Sequence, residues 1–158
     1  MYLKCQDTHI SSHPLITELM RKLEYFDPPL LDRAKAAAVR DFDGEEHYIR
    51  VTLPHIEDAE TELWAAVYTE ECVVYFGHSH MHFSGEEWVM EAASFIIDVL
   101  GGCYEIHTVF RGNRLHKVMT FLVDQNGNRE FLFSMLFLNL RFFWKRRVEV
   151  EHISYFRY

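Results

Sequence analysis

Three histidines fall on alternate positions, His78, His80 and His82, after the apolar run Cys72-Val73-Val74-Tyr75-Phe76-Gly77. Successive side chains of a β-strand point to opposite faces, so one continuous strand would align all three imidazoles, about 6–7 Å apart. Such a row can bind a divalent metal, hold a partner's carboxylate, or respond to pH. As a metal site it would use His78, His80 and His82, with Glu86 as fourth ligand or base and a divalent metal such as Zn as cofactor. That reading needs three or more ligands within about 2.0–2.3 Å of one ion. As a protein-binding surface, His80 and His82 join the nearby acidic pair Glu70 and Glu71, and no cofactor is expected.

Other chemistry is thinner. Cys72 and Ser79 lack an identifiable base and acid to make either a nucleophile. Glu70-Glu71 and Glu86-Glu87 read as a turn and a helix start. Gly77, Gly101-Gly102 and Gly112 form no phosphate-binding pattern. Lys145-Arg146-Arg147 beside Phe142, Phe143 and Trp144 reads as a charged strand end.

The elements that would position these residues follow from periodicity. Leu15, Ile16, Leu19, Met20, Leu23 and Phe26 make one helical stripe, with Ser12 as cap and Pro14 in the first turn; Asp27-Pro28-Pro29 ends it. An Ala-rich second helix is expected over Leu30–Val39. His47 to Leu53 alternates as a strand, and Leu63–Tyr68 pairs with the histidine strand through a turn at Thr69-Glu70-Glu71. Ser84-Gly85-Glu86-Glu87 reads as a capping box for a helix carrying Trp88, Val89, Ala92, Phe95, Ile96, Val99 and Leu100, closed by Gly101-Gly102. A meander follows: Cys103–Phe110, Leu115–Val123, a turn at Asn126-Gly127, Glu130–Leu138 and Arg147–Tyr155. Glu130–Leu138 is apolar on both faces, as a central covered strand would be. The expected fold is α+β, one domain over residues 1–158. Its sheet is mostly antiparallel with about six strands, and the N-terminal helices and one central helix pack on one face.

Composition narrows the function classes. With 49 % hydrophobic and 15 % aromatic residues among 158, the chain can bury a real core without a metal or disulfide. Its 24 acidic against 16 basic residues give a net charge of −8, which disfavours phosphate backbones and anionic membranes and favours a basic partner. Three widely spaced cysteines without a CxxC pair suit reduced thiols, and the N-terminus has no secretory pattern, so a cytoplasmic protein is expected. No apolar stretch is long enough for a membrane helix.

His-x-His followed by Glu86 is similar to the first motif of the cupin barrel. The glycine expected after the glutamate is missing, and so is a second motif. The stretch Glu70 to Phe83, with the helix Trp88–Leu100 and the strand after Gly101-Gly102, resembles a loosely defined group of small bacterial proteins. That group carries an E-x-x-V-x-F-x-x-x-H-x-H-F strand, and the likeness covers about residues 62–125, with His78 as an additional histidine. The resemblance implies an immunity protein of a polymorphic toxin. The expected function is therefore a non-enzymatic binding protein, an inhibitor of a basic toxin domain. Its contact surface would include Glu70, Glu71, His80 and His82, without nucleic acid or membrane partners.

Overall fold

The computed structural model describes residues 3–44, 46–58, 62–137 and 145–156. In chain order these form β1 (Lys4–Cys5), α1 (Thr8–Ser11), α2 (Pro14–Tyr25), β2 (Ala37–Asp43), β3 (Glu46–Pro54), β4 (Glu62–Val67), β5 (Glu71–Phe76), β6 (Ser79–Ser84), α3 (Trp88–Gly101), β7 (Cys103–Arg111), β8 (Arg114–Val123), β9 (Arg129–Leu136) and β10 (Arg146–Ser154). The class is α+β. The strands make two sheets where one was expected: six strands in the order β1 to β6, and four in the order β10-β7-β8-β9. Among the described residues only β1 and β2 pair in parallel; every other ladder is antiparallel.

One face of the six-stranded sheet carries Ala38, Val51, Leu53, Leu63, Ala65, Val67, Cys72, Val74 and Phe76, all buried. Helix α3 lies on this face, with the Phe95 ring against Phe76 and Phe83. Helix α2 packs on α3, burying its stripe of Leu15, Ile16, Leu19 and Leu23. The four-stranded sheet closes the same core with Tyr104, Ile106, Val118 and Ile153. Tyr155 ties the two together: it is fully buried, its hydroxyl donates to the Leu53 carbonyl at 2.7 Å, and it accepts from the Leu63 amide at 3.0 Å. Among the described residues no helix is long and apolar enough to cross a membrane.

Several local expectations change. The second helix over Leu30–Val39 does not form; the chain turns through Leu30–Lys35 and enters β2 at Ala37. The carbonyls of Ala36 and Ala38 accept from Lys4 and Gln6 of the β1 segment, each at 3.0 Å. Sheet pairing thus overrides the helix propensity of alanine, whose small side chain fits under the helices. His13, not Ser12, caps α2, its Nδ1 accepting from the Leu15 amide. The capping box at Ser84 is absent: Ser84 ends β6 opposite Glu71, and Glu87 precedes α3 without a side-chain cap bond. Gly102 is extended rather than left-handed, and its small size matters because a Cβ there would lie 2.5 Å from the Tyr104 ring. β9 sits at a sheet edge, with Phe131 and Leu136 exposed, instead of at the centre. Leu138 and the aromatic run at 142–144 lie outside the described residues.

Candidate functional site

The histidine row does not form as one strand. Phe76 pairs with Ser79, so Gly77 and His78 are the two residues of a tight hairpin turn. Gly77 has φ +55, the left-handed value the first position of such a turn demands. The reversal has two consequences. His78 is carried to the second sheet, where its Nδ1 lies 2.6 Å from Glu151 Oε2 and its amide donates to the same oxygen at 3.1 Å. His80 and His82 point away from α3, because Ser79, Met81 and Phe83 are the β6 residues paired with the core-facing Phe76, Val74 and Cys72. The expectation that all three histidines share a face with Cys72, Val74 and Phe76 is corrected by this turn. Among the described residues, no group of three or more His, Cys, Asp or Glu side chains converges to hold a metal ion.

No described helix packs on the face bearing His80 and His82. Ladder register places Thr52, Trp64, Tyr75 and His80 side by side across β3, β4, β5 and β6, and Arg50, Ala66, Val73 and His82 in the next row. The planar groups follow one another in a column, stacked at Trp64 and Tyr75, tilted at His80 and edge-on at His82. The Arg50 guanidinium carbon lies 4.4 Å from the Trp64 ring centroid. Trp64 and Tyr75 are parallel with centroids 3.9 Å apart. Tyr75 then meets His80 at 5.6 Å, and His80 meets His82 at 5.2 Å. Tyr48 and Tyr68 form a second pair at 5.4 Å beside it. Burial, and secondarily the neighbouring His82, hold the His80 imidazole below its usual pKa. Burial, helped by Asp43, pushes the Tyr75 phenol up.

Carboxylates frame the column. Asp41 and Glu62 flank Arg50 at 3.8 and 3.7 Å, and Tyr48 donates to Asp41 at 3.2 Å. Toward the β4–β5 turn, Glu46, Glu70, Glu71 and Glu86 line an open groove of about 730 Å³ with Tyr68, Thr69, Ser84, Gly85 and Trp88; no Lys or Arg lines it. The structure thus brings Glu70, Glu71 and Glu86 to one groove, at one end of the sheet face that carries His80 and His82. His78 is elsewhere.

The nucleophile candidates have no such setting. Burial pushes the Cys72 thiol up to about 12, and Ser79 is buried against the Thr120 hydroxyl at 2.9 Å. The periodicities left one ionic cluster unread. Glu105, 3 % exposed on the outer face of the four-stranded sheet, receives two bonds from Arg129 at 2.7 and 3.0 Å and bonds to the His107 ring. The alternation Glu105-x-His107 is visible in the sequence, but Arg129 meets it only across β8 and its turn. Comparison with protein-family models, with curated proteins and with solved structures returns no match to this chain.

Proposed function

We propose that this chain is a non-enzymatic binding protein, an immunity-type inhibitor of a bacterial toxin, which takes up a basic protein surface on its helix-free sheet face. The observation that carries the reading is the column Arg50–Trp64–Tyr75–His80–His82, with Trp64 and Tyr75 stacked face to face, running beside a groove lined by Glu46, Glu70, Glu71 and Glu86. Trp, Tyr and Arg are the residue types that dominate binding energy at protein interfaces. Rings already stacked on one another lose little conformational freedom on association. The acidic groove supplies the long-range attraction that accelerates capture of a cationic partner. The net charge of −8 works in the same direction.

The test is co-expression in bacteria with a panel of basic bacterial toxin domains, together with association kinetics on the purified pair that survives. Survival is expected, with an association rate that falls roughly tenfold or more between about 50 and 300 mM salt. Glu70→Lys with Glu71→Lys should slow association at low salt, leaving dissociation nearly unchanged. Failure to protect, or an association rate indifferent to salt and to the charge reversal, rejects the reading.

A further inference from the structure

The edges of the two sheets are not alike. β10 carries Arg146, Arg147, Glu149 and Glu151 along its free edge, and β6 carries Ser79, His80, His82 and Ser84. Charged or polar residues of this kind are how exposed edges are kept from pairing with other chains. β9 is charged only at its start, Arg129 and Glu130. From Phe131 to Phe137 it runs Phe-Leu-Phe-Ser-Met-Leu-Phe without a charge. Four of these side chains are well exposed: Phe131 54 %, Leu132 37 %, Leu136 72 % and Phe137 37 %. Its one ladder among the described residues is to β8, and no other described strand pairs with its second edge.

The run has a second property. Read from Ser134 outward it is nearly the same in both directions: Phe133 against Met135, Leu132 against Leu136, Phe131 against Phe137. A two-fold antiparallel pairing of the strand with itself about Ser134 therefore sets apolar side chains against apolar ones and keeps the flanking charges out of the paired rows. We infer that the chain forms a homodimer through β9, with Ser134 of each copy at the two-fold axis, joining two four-stranded sheets into one of eight strands. The flanking charges permit it. Lys117, registered with Leu136, and Arg129 offset Glu130, so this edge escapes the acidity of the rest of the chain. The register shift that leaves Leu132 as an extra residue in β9 releases strict alternation there. The new ladder therefore runs through Phe133, Ser134 and Met135, and the outer apolar pairs pack around it. This surface is separate from the Trp64–Tyr75 face, so neither proposal depends on the other.

Sedimentation equilibrium from about 1 to 100 µM decides the matter. A species of twice the 18.9 kDa chain is expected. Leu136→Arg, at a largely exposed position, should return it to a monomer that still melts cooperatively, at a temperature no longer dependent on protein concentration, whereas Val150→Arg on the β10 edge should leave the dimer intact. Ser134→Cys should give a covalent dimer under mild oxidation that the wild-type chain, with its three native cysteines, does not give. A monomer at about 100 µM, a dimer indifferent to Leu136→Arg, open-ended association, or failure of Ser134→Cys to cross-link in a dimer would each overturn the inference.

Discussion

Replacing Gly77 by alanine probes the turn that decides where the histidines go. Gly77 holds φ +55, and a Cβ there would sit 2.9 Å from Ile153 Cδ1, 3.0 Å from Ile106 Cδ1 and 3.0 Å from Glu151 Oε2. Left-handed backbone costs an L-residue about 1–2 kcal/mol. The two isoleucine methyls belong to side chains no more than 2 % exposed in the core, and Glu151 is held by His78, so none can swing aside freely. Overpacking of this kind costs a further 1–3 kcal/mol or so. Reduced freedom of the unfolded chain returns roughly 0.4–1 kcal/mol. The net expected loss is about 3 kcal/mol. Gly127 supplies the control: its φ is +79, but nothing lies within 4 Å of a Cβ there, so Gly127→Ala should cost only about 1 kcal/mol. Urea unfolding at neutral pH reads both as shifts in midpoint at constant slope. Equal losses at the two glycines, or a Gly77→Ala loss under about 1 kcal/mol, would mean that the turn does not press against the second sheet as described.

Four further outcomes are expected. Trp64→Ala should raise the dissociation rate of the proposed toxin complex by roughly 30-fold or more, a central-anchor effect of about 2 kcal/mol, with thermal stability retained. Tyr155→Phe should cost about 1–3 kcal/mol in thermal unfolding, since the Leu53 carbonyl loses a donor and the Leu63 amide an acceptor in a buried place. The Arg129 guanidinium, then the His107 ring, hold the Glu105 carboxyl below the usual range against the opposing effect of burial. Its contribution to stability is therefore complete above the unfolded value near pH 4.3 and is lost as pH falls below it toward the lowered folded value. Arg129→Gln should flatten that acid limb in denaturation curves recorded from about pH 6 to 3, and an unaltered limb would contradict the assignment. Glu151→Gln, which weakens a half-exposed contact with His78, should cost under about 1 kcal/mol in the same urea assay.

The local patterns were legible because they depend on near neighbours. The 3.6-residue stripe of α2, the apolar face of α3, the alternation in β3 and the Asn126-Gly127 turn are each set by a few consecutive residues, and each lies where its pattern puts it. Composition likewise determined that a core would form and that the surface would be acidic. Errors arose where a local preference met a distant partner. Ala36 and Ala38 favour helix by themselves, yet Lys4 to Gln6 offer them a parallel strand. Cys72 to His82 alternates as if unbroken, and the pairing of Phe76 with Ser79 is what shows the chain folding back there. The apolar character of β9 was plain in the sequence, but whether a neighbouring strand covers it is a property of the assembled sheet. The candidate site divides in the same way. Acidic Glu70, Glu71 and Glu86 and the alternating His80 and His82 could be named from the chain. The column that joins His80 to Tyr75, Trp64 and Arg50 could not, since it spans four strands and exists only once their register is set. Register is an energy balance among whole ladders and the core beneath them, in which a slip of one residue turns every side chain to the other face.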